Sequence, residues 1–385
     1  MASRPQRIMI VDHMAVEASR RGVYRVLARD GSCEIHVITP QRWNEGVQTI
    51  SSEPEEEAGL TLHVLPTLFG NRAHRVVYRH LSALVRKVKP DFLYVEAEPE
   101  NYAAIQGLLL RKLLAPRAAL GLVSSRNIDH VAVGFPYKMS FTHRTCDWLL
   151  RRSPADVLFC RARRTVEFAP AYAEQSCYFP FAIDCSVFRP AAMYGERSAL
   201  AVGFVGRITW NKGVNILAEA FARLPSTTRL SFVGRGDDGE ELIRLGRRLG
   251  IEQRMMLWPP VVHSQIPGIM NSLDVLVLPS VETKYWMEQC PRVLIEAMAC
   301  GVPIVASASG GIPDVVGNAA LLFKTGDANE LAARLMQFLH DPDLRRQYAE
   351  RGRARALAEY DVPVLARRLH TAILNAVELR ARRLR

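Results

Sequence analysis

Two cations stand at a predicted strand-to-helix turn in the segment GFVGRITWNKG, residues 203–213. A hydrophobic strand runs into Gly206, Arg207 follows it, and Lys212 and Gly213 come just before a predicted helix. Arginine offers a fork of donors and lysine a point charge, and backbone N–H groups at a helix N-terminus also favour anions. The pattern therefore predicts that Arg207 and Lys212 hold one anionic group. The alternative is a pair of solvated cations on a turn.

Two carboxylates occur in the segment EQCPRVLIEAMACG, residues 288–301. Pro291 and Gly301 are suited to the first turn of a helix and to the position just past its end, which predicts a helix over 291–300. Glu296 lies inside this otherwise apolar helix, where a charge is costly unless it is paired or faces a ligand. Such a carboxylate could accept hydrogen bonds from a vicinal diol, and Glu288 in the preceding loop could bind the hydroxyls of a second sugar. Alternatively, Glu296 pairs with a core arginine and Glu288 is a solvated loop residue.

Two glycine-rich turns follow predicted strands, Gly234–Arg235–Gly236 and Gly310–Gly311. A phosphate can approach such turns because glycine has no side chain and tolerates positive φ. Neither turn is the full dinucleotide-binding fingerprint, and the sequence after the first strand, VDHMAVEAS, contains no glycine. The sequence therefore argues against a nicotinamide-dependent enzyme of the Rossmann type.

The elements that must position these residues are short apolar runs alternating with longer helical patterns, which predicts α/β domains with parallel sheets. The first series of predicted strands covers 7–12, 33–39, 60–65, 91–96, 119–124 and 156–160. The second series covers 200–206, 229–234, 255–259, 274–280 and 302–307, with helices at about 211–224, 238–250, 264–272 and 291–300.

A proline-rich stretch without a helical period, residues 178–198, separates the two series and is typical of a linker. We place the domain boundary near residue 190, which gives an N-terminal domain over 1–190 and a C-terminal domain over 191–360. A long amphipathic helix is predicted from 361 to about 384. Because no strand follows it, this helix must dock on existing structure. The segment SSEPEEEAG, 51–59, is expected to be a solvated acidic loop.

The composition narrows the class of protein. The chain has 385 residues, 49% of them hydrophobic and 23% charged, which is an ordinary globular mixture and excludes wholesale disorder and fibrous folds. The seven cysteines form no CxxC pair, so no disulfide framework or zinc site can be read from them, and a reducing compartment is expected. The sequence contains no run of 18 uncharged apolar residues, and its N-terminal apolar run is too short for a signal peptide. A cytoplasmic location is expected.

Taken together, these motifs resemble the retaining GT-B glycosyltransferases of glycosyltransferase family 4. The family's phosphate motif reads GRITWNKG here, and its Glu-x7-Glu motif reads EQCPRVLIEAMACGVPIVAS. Further matches stand in register, namely FAIDCSVFRP, DVLVLPS, SGGIPDVV and ALLFKTGD. The resemblance covers about 176–360 almost continuously, whereas the N-terminal half matches mainly by pattern.

The resemblance implies two facing Rossmann-like domains with a deep cleft between them, and a C-terminal helix that crosses back to the N-terminal domain. It also implies roles for the donor-side residues. Arg207 and Lys212 match residues that hold the donor pyrophosphate, Glu296 matches the residue that binds ribose hydroxyls, and Glu288 matches the one beside the reacting sugar carbon. Val261 falls where the family packs the nucleobase.

The chain departs from the family pattern after the first glutamate, where many members have Gly-Phe-Gly and this chain has Gln289–Cys290–Pro291. Proline lacks an N–H, so one possible phosphate donor is missing, and the N–H groups of Arg292 and Val293 remain. The family is thought to react on one face of the sugar, with the leaving phosphate taking the acceptor's proton. No metal or other cofactor is expected, because two cations face the phosphates and no suitable carboxylate cluster is present.

The acceptor side is less defined. Glu96, Glu98, Asn127 and His130 follow predicted strands of the N-terminal domain and are acceptor-site candidates, with packing or surface roles as the alternative. The expected acceptor is a glycan, a lipid-linked sugar or a small molecule, in cell-envelope or polysaccharide biosynthesis.

The net charge is +11, and several basic segments lie in the N-terminal half. Residues 71–89 are predicted to form one amphipathic helix, with Val77, Leu81, Leu84 and Val88 on one face and arginines opposite. A basic acceptor domain suits peripheral contact with an anionic membrane, such as the inner face of the cell membrane, and the alternative is a solvated helix face. Nucleic-acid binding is not expected, because no recognition motif accompanies the charge.

Two rival functions remain open. The chain could be a non-catalytic homologue that binds nucleotide or carbohydrate, but the presence of both cations and both glutamates favours an enzyme. Another GT-B chemistry, such as epimerisation, fits these motifs less well.

Overall fold

The computed structural model describes residues 4–29, 31–44, 49–57, 59–70, 72–128, 141–191 and 200–385. These residues form two compact units. Unit 1 contains the described residues up to 128 together with 141–182 and 362–385, and unit 2 contains 183–191 and 200–361. Of the helices in this described part of the chain, none has both the length and the apolar character needed to span a bilayer.

Unit 1 is built on an eight-stranded sheet in the order β12-β11-β10-β9-β1-β2-β6-β5. All neighbours in it run parallel except β5, which pairs antiparallel with β6. The strands of unit 1, including two short hairpins, are β1 Gln6–Val11, β2 Cys33–Pro40, β3 Arg42–Asn44, β4 Thr49–Ser51, β5 Glu55–Glu57, β6 Leu60–Leu65, β7 Thr67–Leu68, β8 Val77–Tyr78, β9 Phe92–Val95, β10 Ala119–Ser124, β11 Ala155–Cys160 and β12 Ala173–Tyr178.

The helices of unit 1 cover both faces of this sheet, as its two buried apolar clusters indicate. They are α1 Gly22–Ala28, α2 Leu81–Val88, α3 Tyr102–Leu114, α4 Phe141–Arg152, α5 Thr165–Phe168 and, from the end of the chain, α13 Val362–Arg383. The central strands read as continuous apolar runs because both of their faces are buried.

Unit 2 has a six-stranded, all-parallel sheet in the order β15-β14-β13-β16-β17-β18. Its strands are β13 Ala201–Val205, β14 Arg229–Val233, β15 Met255–Trp258, β16 Val275–Leu278, β17 Ile304–Ser307 and β18 Leu321–Phe323. Its helices are α6 Val214–Phe221, α7 Gly239–Arg248, α8 Ile266–Met270, α9 Arg292–Ala299, α10 Ile312–Val316, α11 Ala328–His340 and α12 Pro342–Arg355, and a π-helical turn follows at Ala356–Tyr360. The predicted α/β class with parallel sheets is confirmed.

The chain passes from unit 1 to unit 2 between residues 182 and 183, earlier than the boundary that composition suggested. The following residues are held by unit 2. Arg353 donates to the carbonyl oxygens of Cys185 and Phe188, and the Phe188 ring lies 5.3 Å from that of His263. A proline-rich stretch without helical period therefore does not have to be a free linker.

The predicted C-terminal helix is present as α13 and packs on unit 1. Leu365, Leu369 and Ile373 are fully buried among residues of the central strands and of α1. The helix thus covers part of one face of the sheet of unit 1, although all the strands of that sheet come from the first 178 residues of the chain.

Two sequence predictions in unit 1 are wrong. The helix expected over 71–89 begins only at Leu81. Tyr78 pairs with Thr67 in a short antiparallel hairpin, its backbone N–H donates to the amide oxygen of Gln106, and its carbonyl oxygen accepts from the NH2 of the same amide. The acidic segment expected as a solvated loop over 51–59 is largely exposed in its described residues 51–57, but it is not a loop throughout. Its Glu55–Glu57 part is strand β5, and Arg25 lies 2.9 Å from a Glu57 carboxylate oxygen.

We expect Leu369→Ala to lower the free energy of unfolding by about 2–5 kcal/mol, because it leaves a cavity in a closed apolar cluster. Leu374→Ala on the same helix is the matched control, since Leu374 is 47% exposed and its truncation should cost less than about 0.5 kcal/mol. Urea titration followed by circular dichroism measures both. Equal effects of the two substitutions would contradict the packing of α13 described above.

Candidate functional site

The predicted donor-side residues of unit 2 gather where the strand order of its sheet reverses. β14 and β15 lie on one side of β13, and β16, β17 and β18 lie on the other. In open α/β sheets, ligands bind in the crevice that forms at the carboxyl ends of the strands at such a switch point. The loops that leave β13 and β16 carry Arg207, Lys212 and Glu288, so these residues stand where this topology provides a crevice.

Lys212 and Glu288 form an ion pair across this switch point. The Lys212 Nζ lies 2.6 Å from Glu288 Oε1, and the two side chains are only 17% and 7% exposed. Ser280, which is fully buried, donates its hydroxyl to the same Oε1 at 2.5 Å. The ammonium also lies 5.0 Å from the centre of the Trp286 ring. The predicted loop carboxylate is therefore neither solvated nor isolated, and it is held beside one of the two predicted phosphate-binding cations.

Two glycines allow the close backbone contacts that bring the loops after β13 and β16 together. Gly213 has a φ of 69°, and a Cβ at this position would lie 1.9 Å from the carbonyl oxygen of Pro279. Gly310, with a φ of 50°, packs in the same way on the backbone of Glu288, where a Cβ would lie 2.3 Å from the carbonyl oxygen. Side chains at these two positions would separate Lys212 from Glu288 and displace Glu288. The predicted glycine turn at 310–311 thus packs against the backbone that presents this carboxylate.

Arg207 is the exposed member of the group. It follows the positive-φ Gly206 at the end of β13, and no carboxylate of the described residues lies within ion-pair distance of its guanidinium. A guanidinium in this position can receive an anion without first breaking an internal ion pair. Lys212 differs, because an anion that reaches it must share the ammonium with Glu288.

Glu296 lies on α9, close to the span predicted from the flanking proline and glycine. Its carboxylate is 7% exposed, and its Oε1 lies 2.9 Å from Nε2 of His263 and 3.2 Å from Nε of Arg292. The predicted alternative, a pairing with an arginine, is thus realised in part, with Arg292 one helical turn before Glu296. The carboxylate is oriented by its hydrogen bond with His263 and by the nearby guanidinium of Arg292, and it can still accept hydrogen bonds from hydroxyl groups at its other lone pairs.

The remaining donor-side candidates flank Glu296. Arg292 and Val293 are the first two residues of α9, and both are partly exposed. Pro291 precedes them as the residue that caps the helix, so the backbone donors of the first turn begin at Arg292. Val261 lies in the loop after β15 and is partly exposed, two residues before His263. Loop and helix therefore meet through the contact of His263 with Glu296.

In unit 1, Glu96 belongs to a closed internal network. Its Oε1 accepts from Arg161 and its Oε2 from Tyr94, both at 2.5 Å. Burial disfavours the charged carboxylate, but the neighbouring Arg161 lowers the pKa of Glu96 below its ordinary value. Asp12, at the end of β1, has a raised pKa because it is buried and lies near Glu96. Both oxygens of Glu96 are thus engaged by the protein, and its role toward an acceptor stays a prediction.

Glu98 stands at the ends of β9 and β10 in a different environment. It accepts hydrogen bonds from the Ser124 hydroxyl and from the backbone N–H of Ser125, both at 2.6 Å. Burial and the nearby Glu100 raise its pKa to about 7. Asn127 is buried close by in sequence, and His130 lies outside the described residues. Their roles as acceptor-site residues stay predictions.

Three residues of the site were not identified from the sequence. Ser280 orients Glu288, His263 contacts Glu296, and Trp286 lies beside the Lys212 ammonium. Ser280 ends the strand-like run DVLVLPS, and a hydroxyl at a strand's carboxyl end could have been noted as a signal. His263 joins a residue 33 positions away, and no local pattern reports such a contact. Among the described residues, no group of three or more His, Cys, Asp or Glu side chains could hold a metal ion.

Comparison with known proteins identifies the family of unit 2. Residues 197–355 match the model of a family described as glycosyl transferases group 1. Unit 2 is a glycosyl transferases group 1 domain. The prediction of a glycosyltransferase from the GRITWNKG and Glu-x7-Glu motifs is thereby confirmed for this part of the chain, at the level of glycosyl transferases group 1. The two motifs that carry the ion pair both lie inside the matched residues.

Curated relatives match over a limited length. The D-inositol 3-phosphate glycosyltransferases of Mycobacterium bovis and Mycobacterium tuberculosis are each 34% identical to this chain over 145 residues. The aligned stretch covers 35% of this chain but only 29% of either relative. The chain thus spans less than a third of the length of the curated relatives that it matches.

Solved structures match over nearly the whole chain and show the fold. Sucrose-phosphate synthase from Thermosynechococcus elongatus has a TM-score of 0.73 and 20% identity, covering 95% of this chain and 98% of its own. HepE from Anabaena, solved in complex with UDP-glucose, has a TM-score of 0.67 and 18% identity, covering 96% and 99%. The chain has the two-domain GT-B fold that the resemblance implied.

We expect the Lys212–Glu288 pair to be energetically coupled in the unliganded protein. A cycle of Lys212→Met, Glu288→Gln and the double variant should give a coupling energy of about 1–3 kcal/mol, because each single change leaves a mostly buried charge without its partner. Denaturant unfolding at neutral pH measures all four proteins.

The exposed pair Arg244–Glu241 is the matched control for this cycle. Its side chains are 58% and 36% exposed, so the corresponding cycle should give well under 1 kcal/mol. Coupling at 212–288 no larger than at 241–244 would show that the pair does not organise the site.

Glu98 should make stability depend on pH. Its pKa is about 7 in the folded protein against an ordinary 4.5, so the folded state binds the proton more tightly. Stability should therefore be lost as pH rises from about 4.5 to about 7, by at most about 3 kcal/mol. Glu98→Gln should remove this part of the pH dependence, whereas Glu56→Gln at an exposed position should not. Parallel pH profiles for wild type and Glu98→Gln would contradict a proton on Glu98 near neutrality.

Proposed function

We propose that this protein is a retaining glycosyltransferase that moves a sugar from a nucleotide-sugar donor to an acceptor hydroxyl. The observation that carries the proposal is the meeting of Lys212 with Glu288 at the switch point of a glycosyl transferases group 1 domain, with Arg207 exposed on the same loop as Lys212. Cations and an adjoining carboxylate suit a substrate that joins a diphosphate to a polyhydroxylated ring. UDP-glucose bound to the structurally similar HepE supports a nucleotide sugar as the donor.

In the proposed reaction, the bond between the anomeric carbon and the diphosphate oxygen breaks and its electron pair stays on the diphosphate. Arg207 and Lys212 stabilise the negative charge that grows there, together with the N-terminus of α9. The acceptor oxygen bonds to the anomeric carbon on the same face, and its proton passes to the departing phosphate. Glu288 anchors a sugar hydroxyl and stabilises the cationic character of the ring.

Glu296 has a separate role in this proposal. It binds the two ribose hydroxyls and is held for that task by His263 and Arg292. Val261 packs near the nucleobase, and the N–H groups of Arg292 and Val293 contact phosphate. Turnover needs no divalent metal or other cofactor, because the two cations provide the positive charge at the leaving group.

The acceptor is proposed to be a glycan, a lipid-linked sugar or a small molecule in cell-envelope or polysaccharide synthesis. The acceptor-side candidates remain Glu96, Glu98, Asn127 and His130. We further propose action at the inner face of the cell membrane by peripheral contact of unit 1, and no binding of nucleic acid. The basic surplus of the chain supports an anionic surface as the partner.

The two glutamates provide the test. Donors are first screened by thermal shift with UDP-, GDP- and ADP-sugars, because a ligand that binds the folded state raises Tm. With the donor that binds, Glu296→Gln should weaken affinity for the free nucleotide more than it lowers kcat, since ribose contacts are similar in ground and transition states. Glu288→Gln should lower kcat strongly with little change in nucleotide affinity, since its charge matters most as the sugar becomes cationic.

Calorimetry with the free nucleotide and steady-state kinetics measure both quantities. Glu252→Gln, an exposed glutamate paired with Arg247 elsewhere in unit 2, is the control and should change neither. Loss of nucleotide affinity in Glu288→Gln alone would reverse the two roles. Donor binding without turnover in the wild type would favour the non-catalytic homologue.

A further inference from the structure

The outer face of helices α3 and α4 of unit 1 is both apolar and basic. Leu109, Leu113 and Trp148 on these helices are 48%, 75% and 51% exposed. The outward positions of a helix that covers a sheet are normally polar. Large exposed apolar patches rimmed by polar residues mark interaction sites. These three side chains therefore need an explanation that packing within the chain does not provide.

The two helices lie side by side over their length. The rings of Tyr102 and His143, near their beginnings, have centroids 5.6 Å apart. The Lys112 ammonium, near the end of α3, donates to the Ser153 hydroxyl just after α4 at 2.5 Å. The pairing of early with early and late with late residues means that the helices run parallel. Their exposed residues thus share one surface, which we call the α3–α4 face and define by Leu109, Lys112, Leu113, Arg144, Trp148 and Arg152.

The charge on this face has one sign. α3 contains no acidic residue, and α4 contains only Asp147, which lies 2.8 Å from Arg151 and also accepts from the Tyr172 hydroxyl. Lys112, Arg144 and Arg152 are exposed. The Arg152 guanidinium lies 4.6 Å from the centre of the Trp148 ring, so a cation and an aromatic ring stand together at the surface.

A second apolar feature adjoins the beginning of α3. The hairpin of β7 and β8 exposes Leu68 at 47% and Phe69 at 60%, and Phe69 contacts Tyr102 edge-on at 6.4 Å. Phe69 has a φ of 56°, an unfavourable backbone conformation for a non-glycine residue. The apolar surface therefore continues from the hairpin along α3, whose 13 residues span about 20 Å.

We propose that the α3–α4 face docks on an anionic phospholipid surface. Lys112, Arg144 and Arg152 would meet the headgroups, while Leu109, Leu113 and Trp148 enter the boundary between headgroups and acyl chains. This inference gives the membrane contact of the proposed function a location. It assigns that contact to α3 and α4, rather than to the long basic helix that the sequence predicted over 71–89.

Other occupants fit the face less well. A second copy bound through the same face would bring like charges together, since a two-fold interface places one patch against itself. A nucleic acid would satisfy the cations but would leave the leucines exposed to water, because its recognition depends on phosphate contacts. A phospholipid surface supplies anionic groups and an apolar layer at the same time.

The test measures binding of the full chain to vesicles by sedimentation, without donor or acceptor. Vesicles of phosphatidylcholine alone are compared with vesicles that also contain phosphatidylglycerol. We expect binding only to the anionic vesicles, weakened by added salt. Reversing Lys112 and Arg152 to glutamate should weaken binding by roughly fivefold or more per cation. The double variant Leu109→Glu/Leu113→Glu should abolish detectable binding.

Matched controls separate this face from general charge and hydrophobicity. Leu374→Glu changes a leucine of unit 1 on α13 that is 47% exposed, and Arg382→Glu changes an exposed arginine on the same helix. Both should bind vesicles like the wild type. Brominated phosphatidylcholine in the anionic vesicles should quench tryptophan fluorescence in the wild type and much less in Trp148→Phe. Circular dichroism and Tm verify that each variant is folded.

Two results would overturn the inference. One is vesicle binding that Leu109→Glu/Leu113→Glu and Leu374→Glu affect equally. The other is no vesicle binding by folded wild type, and in that case analytical ultracentrifugation and titration with duplex DNA show whether a second copy or a nucleic acid occupies the face. Donor binding by thermal shift is measured on the same preparations. Failure of membrane docking is thereby distinguished from failure of the proposed transferase function.

Discussion

The candidate site of unit 2 depends on one ion pair, between Lys212 on the loop after β13 and Glu288 on the loop after β16. Its 2.6 Å contact lies mostly out of solvent, where an unpaired charge of either sign would be costly. The pair sets how closely the two loops approach, and the glycines at 213 and 310 have the conformations that this approach requires. The same contact keeps a carboxylate beside a cation that is predicted to bind phosphate.

Unit 1 also has carboxylates where its own strand order reverses, but their partners differ from those in unit 2. There, β1 lies between β9 and β2, and Asp12 and Glu96 follow β1 and β9. Tyr24 and Tyr94 donate to these two carboxylates, and Arg161 neutralises Glu96. A buried polar network, whose carboxylates are all engaged by side chains of the same unit, organises the end of the sheet. In unit 2, by contrast, the loop that carries Lys212 also carries an exposed arginine, Arg207.

The α3–α4 face of unit 1 differs from the two strand-end sites, because it is distinguished by large apolar side chains that are exposed to solvent. Leucines and a tryptophan stand in water among arginines and a lysine, and the acidic residue nearby is engaged by Arg151. The sequence drew attention to basic residues in this half of the chain. Which of them share a surface depended on where α2 begins and on how α3 and α4 lie side by side.

The sequence by itself determined the two series of parallel strands, the span of α9 and α13, and the identity of the four charged residues in the family motifs. Periodicity, proline and glycine positions and motif spacing are local properties, so they can be read without a structure. The two wrong predictions from the sequence also came from local patterns. The pattern at 71–89 fits a helix, but the side chain of Gln106 holds Tyr78 in an extended pairing, and the acidic residues 55–57 are drawn into a strand beside Arg25.

The tertiary structure alone decided which charges meet. Lys212 and Glu288 are separated by 76 residues, and they meet because β13 and β16 are neighbours in the sheet. His263 reaches Glu296 across 33 residues, and Ser280 reaches Glu288 from the end of a strand. A charged side chain in a sequence has no assigned partner, because its partner depends on the order of the strands. Strand order results from packing over the whole domain, which no local pattern records.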